Sequence, residues 1–124
     1  MIGFNLIPGG YPLKMKLSIG GEAQKYQASS GGTYFLQEGK TNNNCYWIHQ
    51  SGYIAIWWST TDKWMVGHFE DLGTSRACIK GPSNNDSPPN QITNGWQYGS
   101  PKNVNKPCSD TNDIHFEDWT FKQG

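Results

Sequence analysis

The sequence predicts an all-β domain, an antiparallel meander of about eight short strands that forms a small barrel or a two-layer sandwich. Two observations lead to this fold class. Helix signals are nearly missing, because no window carries apolar residues at the spacing of an amphipathic helix over three turns with caps. Strand-like segments recur instead at intervals of about ten residues, and nothing between them is long and helical enough to connect parallel strands.

The first four predicted strands show alternation or follow a turn signal. Segment 14–19 alternates polar and apolar side chains, as a strand with one buried face does. A Ser-Ser-Gly-Gly turn precedes the second strand, an Asn-rich turn at 42–44 precedes the third, and Ser51-Gly52 forms a two-residue hairpin loop before the fourth. These strands are predicted at residues 14–19, 33–37, 45–50 and 53–59.

The C-terminal half of the chain predicts shorter strands separated by long loops. Residues 60–62 turn the chain into a fifth strand, and the segment 81–94 must be a loop because it holds three Pro and four Asn. Residues 100–113 are a second predicted loop. The remaining strands are predicted at residues 63–70, 76–80, 95–99 and 115–122.

Length and charge limit the class of protein. The 124 residues are predicted to form a single domain, 1–124. Ten basic and ten acidic residues cancel, and Arg76 is the only arginine, so no basic face exists for nucleic acid.

No apolar run approaches the roughly 18 residues of a membrane span. The N-terminal segment does not resemble a signal peptide. We predict an extracellular setting, which the sequon Asn85-Asp86-Ser87 favours, with any leader removed or lying upstream.

The three cysteines, Cys45, Cys78 and Cys108, lack the spacing of a zinc site. Cys78 and Cys108 flank a loop-rich stretch, and a disulfide between them would contribute about 3–4 kcal/mol in the chain-entropy model. The alternative is three buried reduced thiols, because a free cysteine packs as a small hydrophobe. The sequence leaves both interpretations open.

The hairpin 55–67 (AIWWSTTDKWMVG) holds three tryptophans within eight positions. Alternation places apolar side chains on both faces of both strands, so the hairpin is either covered on both sides or displays an aromatic surface. Six tryptophans crowd a domain of this size, and a buried indole N–H needs a partner. We expect about half of the tryptophans in the core and one or two partly exposed.

Aromatic rings beside amide side chains are what carbohydrate binding requires, because a pyranose stacks on a flat ring while short polar groups bind its hydroxyls. The sequence predicts such a groove near the hairpin 45–58 and the loop around Trp96. The competing interpretation is that the Asn-rich stretches are only turns, since Asn tolerates left-handed backbone geometry. The predicted ligand-binding residues are Trp47, Tyr53, Trp57, Trp96, Tyr98, Asn43, Asn44, Gln50 and Asn94.

The histidines suggest a different class of function. His49, His68 and His115 each lie in or beside a predicted strand and could form an acid/base pair or a metal site with nearby carboxylates. None of them stands in a known catalytic or metal-binding motif, so a small hydrolase is only an alternative. The carboxylates in question are Glu70, Glu117 and Asp118.

One acidic segment, 109–113 (SDTND), is similar to the start of a calcium loop. An EF-hand would require Gly and Glu at the positions that His115 and Phe121 occupy, which excludes that motif. No cofactor is therefore predicted. An irregular calcium site in the loops stays open.

The order of the aromatic phrases resembles compact β-modules of eukaryotic multidomain proteins. The shared rhythm is GxY, YW, AIWW, WxVG, LG, SP and a final W, and it covers roughly residues 17–98. This resemblance implies a recurring module and carries no ligand with it. The phrases lie at 32–34, 46–47, 55–58, 64–67, 72–73, 87–88 and Trp96.

Taken together, these patterns predict a non-enzymatic, lectin-like recognition module with a glycan or protein ligand. The first alternative is a structural or adhesion subunit whose aromatic face binds a protein or a second copy of the chain. The second alternative is the histidine-dependent hydrolase.

Overall fold

The computed structural model describes residues 6–7, 11–21, 23–99, 109–110 and 114–118. Only the backbone is considered at 6–7, 109–110, 114–115 and 117–118. The strands are β1 (Leu6–Ile7), β2 (Tyr11–Pro12), β3 (Lys14–Ile19), β4 (Gly32–Thr41), β5 (Asn44–His49), β6 (Ile54–Trp58), β7 (Trp64–His68), β8 (Ile79–Lys80), β9 (Gln97–Tyr98), β10 (Ser109–Asp110) and β11 (Ile114–Asp118), and the α-helix is α1 (Ala23–Gln27). Short 3-10 turns lie at Ala28–Ser30, Phe69–Asp71 and Pro89–Gln91.

Within the described ranges, nine strands form one antiparallel sheet in the order β10-β9-β8-β7-β6-β5-β4-β3-β11, and β1 and β2 form a separate two-stranded sheet. Neighbours from β3 to β10 follow one another along the chain, so the sheet is a meander, and β11 returns to the β3 edge. The sheet curls into a half-barrel. The predicted all-β antiparallel meander is confirmed.

Each predicted strand corresponds to a strand of this sheet, although some ends differ. The predicted strand 63–70 ends at His68, because the chain then enters a 3-10 turn. The predicted strands 76–80 and 95–99 shorten to β8 and β9. The predicted loop 100–113 contains β10, and its other residues lie outside the described ranges, as do residues 119–122 of the last predicted strand.

Helix α1 was not predicted from the sequence. It spans five residues, which is too short for the repeat of apolar residues that identifies an amphipathic helix. Ala23 and Gln27, one helical turn apart, are its buried residues, and Ala23 belongs to the main core. The Gln27 amide donates to the carbonyl of Gly99 over 2.7 Å, which connects the helix to the end of β9.

The inner face of the curled sheet carries the main core. One row of directly paired residues crosses six strands, from β4 to β9, and all its members are buried except half-buried Leu36. Burial of each large apolar side chain in such a row contributes about 1.5–3 kcal/mol. The row consists of Leu36, Trp47, Ile56, Val66, Ile79 and Tyr98.

The outer face carries a second, smaller core. Ala55, Trp57 and Met65 are buried there, and Leu72 and Ala77 from the loop after β7 pack against them. The central hairpin is therefore covered on both sides at this point, which explains why its strands are apolar on both faces.

The turn between β4 and β5 consists of Asn42 and Asn43, whose φ angles are 52° and 66°. Positive φ at both central residues defines the type I′ turn, in which Asn is a favoured residue because its side chain tolerates the left-handed region. The Asn42 amide also donates to the carbonyls of Trp58 and Gly73, over 2.7 and 3.1 Å. The interpretation of this Asn-rich stretch as a turn is confirmed.

The structure contains no disulfide among the residues it describes, so it gives no support to the Cys78–Cys108 disulfide that the sequence left open. Cys108 itself lies outside them. The backbone of Cys78 is held between two strands, since its N–H donates to Val66 and its carbonyl accepts from Gly99. Cys45 is a buried thiol and Cys78 is half-buried, whereas the alternative interpretation expected all three thiols to be buried.

Candidate functional site

The tryptophans that were expected to contact a ligand are part of the core. Trp47, Trp57 and Trp96 are fully buried, and Tyr98 is 6% exposed. In this structure these four rings therefore offer almost no exposed face on which a ligand could stack. Of the five tryptophans whose side chains are described, Trp58 alone is partly exposed, so more of them are buried than the expected half. Trp119 lies outside the described residues.

The buried tryptophans connect the sheet to the segments that cover it. Each indole Nε1–H donates to a backbone carbonyl outside the nine-stranded sheet, at 2.7–2.9 Å. These bonds satisfy the indole donors, which would otherwise be costly to bury. The pairs are Trp47 with Pro12, Trp57 with Thr74, Trp64 with Ser87, and Trp96 with Ile92.

The predicted asparagines serve the fold at separate places. Asn43 occupies the type I′ turn, and Asn44 accepts a 3.0 Å hydrogen bond from the Tyr11 hydroxyl. Asn94 is exposed, and it precedes Gly95, whose φ is 90°. Asn44 and Gln50 lie at opposite ends of β5, about 20 Å apart for six residues of strand. Asn44 and Gln50 therefore do not contribute to one common site.

Two predicted residues, Gln50 and Tyr53, do lie together, at the turn between β5 and β6. Tyr53 is 74% exposed, the highest value among the large hydrophobic side chains of the described residues. Phe69 lies directly opposite it, continuing the β6–β7 register by one pair, and its N–H donates to the Tyr53 carbonyl over 2.8 Å. Phe69 is 43% exposed. We call these two residues the Tyr53–Phe69 pair.

Hydrogen bonds give this turn a defined shape. The His49 Nδ1 atom accepts from the Ser51 N–H over 2.9 Å, and His49 Nε2 lies 2.8 Å from the Gly31 carbonyl. The tautomer with a proton on Nε2 satisfies both contacts. The Ser51 hydroxyl oxygen accepts from the Tyr53 N–H, and the Gln50 Oε1 atom accepts from the Thr33 N–H over 2.9 Å. The exposed Tyr53 ring therefore projects from an ordered turn.

The outer face extends the exposed apolar surface beyond this pair. Phe35, also 43% exposed, pairs with Ile48 on β5, and Ile48 pairs in turn with Ala55 on β6. Tyr53 lies two residues before Ala55, just ahead of β6, and so points to the same side of the sheet. We call Phe35, Ile48, Tyr53 and Phe69 the outer aromatic patch. The Lys14 ammonium lies 5.9 Å from the centre of the Phe35 ring. Sequence reasoning missed Phe35 and Phe69, although the register between neighbouring strands could have placed both.

The histidines have different surroundings. His49 makes the contacts of the turn, and its ring lies edge-on to Tyr34 at 5.0 Å. His68 is exposed at the end of β7, and the His115 side chain lies outside the described set. No group of three His, Cys, Asp or Glu side chains capable of holding a metal occurs in the part of the chain that is described. The hydrolase and the irregular calcium site stay predictions, since residues 111–113 also lie outside that part.

Among the described residues, no helix has the length and apolar character needed to cross a membrane. Comparisons with protein-family models, with curated proteins and with solved structures found no match. The resemblance to eukaryotic β-modules therefore stays a prediction. The fold and the site together define an all-β domain with an exposed aromatic pair at one end of the β6–β7 hairpin.

Proposed function

We propose that this chain is a non-enzymatic recognition module that binds a glycan through the Tyr53–Phe69 pair. One observation carries the proposal: a chain that buries Trp47, Trp57, Trp64 and Trp96 leaves Tyr53 74% exposed, directly opposite a second exposed ring. The extracellular setting expected from the sequence belongs to the same proposal.

The geometry of the pair suits a sugar ring. Tyr53 and Phe69 lie one step beyond the last pair of the β6–β7 ladder and are joined by the backbone hydrogen bond between them, so their two exposed side chains start from neighbouring positions. Neither ring stacks on another aromatic ring within the described ranges. Both rings are thus available to the C–H groups of a pyranose.

Polar groups around the pair provide partners for sugar hydroxyls. The Gln50 amide is oriented by the bond that its Oε1 atom accepts, which leaves its NH₂ group as a donor at the exposed turn. Glu70 follows Phe69 and is exposed, so its carboxylate provides an acceptor. A small apolar surface with a few oriented polar groups is the usual composition of a ligand site.

The test is a broad glycan array, followed by titration of the best-bound oligosaccharide. Replacement of Tyr53 or Phe69 by Ala should lower affinity at least about tenfold, because truncation of an aromatic contact at a hot spot costs about 1.4 kcal/mol or more. Tyr53→Phe keeps the ring and should retain most of the affinity. Phe35→Ala is the matched control, because Phe35 is as exposed as Phe69 but lies at the other end of the patch.

Two results would contradict the proposal. The first is an array with no reproducible binding by a folded wild-type protein. The second is a glycan whose affinity is unchanged by both Tyr53→Ala and Phe69→Ala.

The second candidate is protein binding or self-association through the whole outer aromatic patch. The exposed Phe35 ring and its neighbour Ile48 favour it, because they extend the apolar surface across four strands. Sedimentation at rising protein concentration tests self-association. In this case Phe35→Ala should reduce association as strongly as Tyr53→Ala, which separates this candidate from glycan binding.

A further inference from the structure

A second candidate site lies where the sheet opens between β4 and β5. Leu36 pairs with Trp47, and the next pair in the ladder is Lys40 with Cys45, so β4 advances four residues while β5 advances two. The residues between, Gln37–Gly39, form a bulge in β4 with no partner in the ladder among the described residues. Bulges of this kind are common beside functional sites because they redirect side chains.

The neighbouring strand also ends at this level. The last β3–β4 pair joins Lys14 and Phe35, and the Leu36 N–H then donates to the Leu13 carbonyl over 2.9 Å. Pro12, one residue earlier, has no N–H with which to extend the ladder. Among the described residues, the bulged part of β4 therefore has no ladder partner on the β3 side and none on the β5 side.

The opening is a groove of about 340 Å³. Leu13 and Leu36 line it together with the bulged segment 37–40 and the buried Cys45. The volume is at the lower end of the range for small-molecule sites, about 300–1,000 Å³. Its apolar walls suit a hydrocarbon chain or ring.

Lys40 places a positive charge at the edge of this groove. Lys40 is directly opposite Cys45 in the ladder, so both side chains leave the same face of the sheet with Cβ atoms about 4.5–5.5 Å apart. Burial raises the pKa of the Cys45 thiol, and the Lys40 charge opposes that rise, which agrees with an ammonium close to the sulfur. No carboxylate of the described residues forms an ion pair with Lys40.

We propose that this groove binds a small amphipathic monocarboxylic acid, with the apolar body between Leu13, Leu36 and Cys45 and the carboxylate at the Lys40 ammonium. Glu38 lies on the same rim and is exposed. Its charge repels every anionic group in the groove and opposes a dianion more strongly than a monoanion, so the Lys40 ammonium has to hold a single carboxylate against it. This site is independent of the Tyr53–Phe69 pair and of the glycan proposal.

The test uses hexanoate, hexan-1-ol and hexylamine as probes of equal chain length, titrated into ¹⁵N-labelled wild-type protein and followed by amide chemical shifts. Hexanoate should shift the amides of Leu36, Lys40 and Cys45 and bind more tightly than the alcohol and the amine. Lys40→Gln should weaken hexanoate binding about two- to fivefold, the range for an exposed ion pair, and leave hexan-1-ol binding unchanged.

Lys25→Gln is the matched control, because Lys25 is an exposed lysine on α1, and it should leave the affinity for hexanoate unchanged. A second readout is alkylation of Cys45 by N-ethylmaleimide, followed by peptide mass spectrometry, which saturating hexanoate should slow. The proposal is overturned if hexanoate shifts no groove amide, if hexan-1-ol binds as tightly as hexanoate, or if Lys40→Gln and Lys25→Gln have the same effect.

Discussion

Replacement of Trp57 by Phe tests whether the buried indoles hold the covering loops in place. Trp57 is fully buried, and its Nε1–H donates over 2.8 Å to the carbonyl of Thr74 in the loop after β7. Phe keeps an aromatic ring but removes the donor. The lost bond to a partly buried carbonyl costs about 1–3 kcal/mol, and the smaller ring adds about 1 kcal/mol, for a total of about 2–4 kcal/mol.

The expected change is large enough to measure by two methods. An unfolding entropy of about 2.1 cal/mol/K per residue gives about 0.26 kcal/mol/K for a chain of this length, so Tm should fall by about 8–15 °C. Urea titration gives the same free-energy loss directly. Hydrogen exchange adds a local readout, because the amides of Leu72 and Thr74 bond to Phe69 and Asp71 within the loop and should lose protection.

Trp58→Phe is the matched control for this experiment. Trp58 is the next residue of the same strand, is partly exposed, and makes no hydrogen bond from its indole nitrogen to any described residue. Its replacement removes the same atoms without breaking such a bond and should cost about 1 kcal/mol or less. The reasoning is refuted if Trp57→Phe costs no more than Trp58→Phe, or if the loop amides keep their protection.

Two further predictions concern close packing and high pH. Gly67→Ala should lower the free energy of unfolding by about 1–3 kcal/mol, because the new Ala Cβ would lie 3.0 Å from the Ala77 Cα. Gly20→Ala is the control and should leave stability unchanged, since a Cβ at that position would meet no atom within 4 Å. Urea titration of both variants measures the difference. Burial raises the pKa of the Tyr34 hydroxyl, so the unfolded state loses its proton first and stability should fall as pH rises above about 10. Tyr34→Phe should weaken that pH dependence in unfolding free energies measured at pH 8 and pH 11, and an unchanged slope would contradict the assignment.

Much of the fold could be predicted from local sequence. Residues 14–19 form β3 as expected, and the Asn-rich turn has the backbone that Asn favours, because alternation and turn chemistry act over a few neighbouring residues. Helix α1 escaped prediction because five residues give no periodic signal. The bulge in β4 escaped it too, since nothing in segment 37–40 alone shows how β5 will pair with it.

The candidate site was predicted less well, for a different reason. Alternation shows that Trp57 and Tyr53 share a face of β6, but both look equally suitable as exposed rings. Trp57 is buried because the loop carrying Leu72 and Ala77 folds over it, whereas Tyr53 lies at the end of the strand and stays exposed. The path of that loop depends on long-range contacts that no local pattern contains.

The amino-acid sequence by itself determined the class of fold, the hairpin order of its central strands and the presence of more aromatic side chains than one face of a sheet needs. These properties follow from the period of two along a strand and from the residues that turns require. Only the tertiary structure decided which rings meet the solvent and where the sheet opens into a groove. Those outcomes depend on how loops cover the two faces of a curled sheet and on the register between strands, and both are set by contacts between residues far apart in the chain.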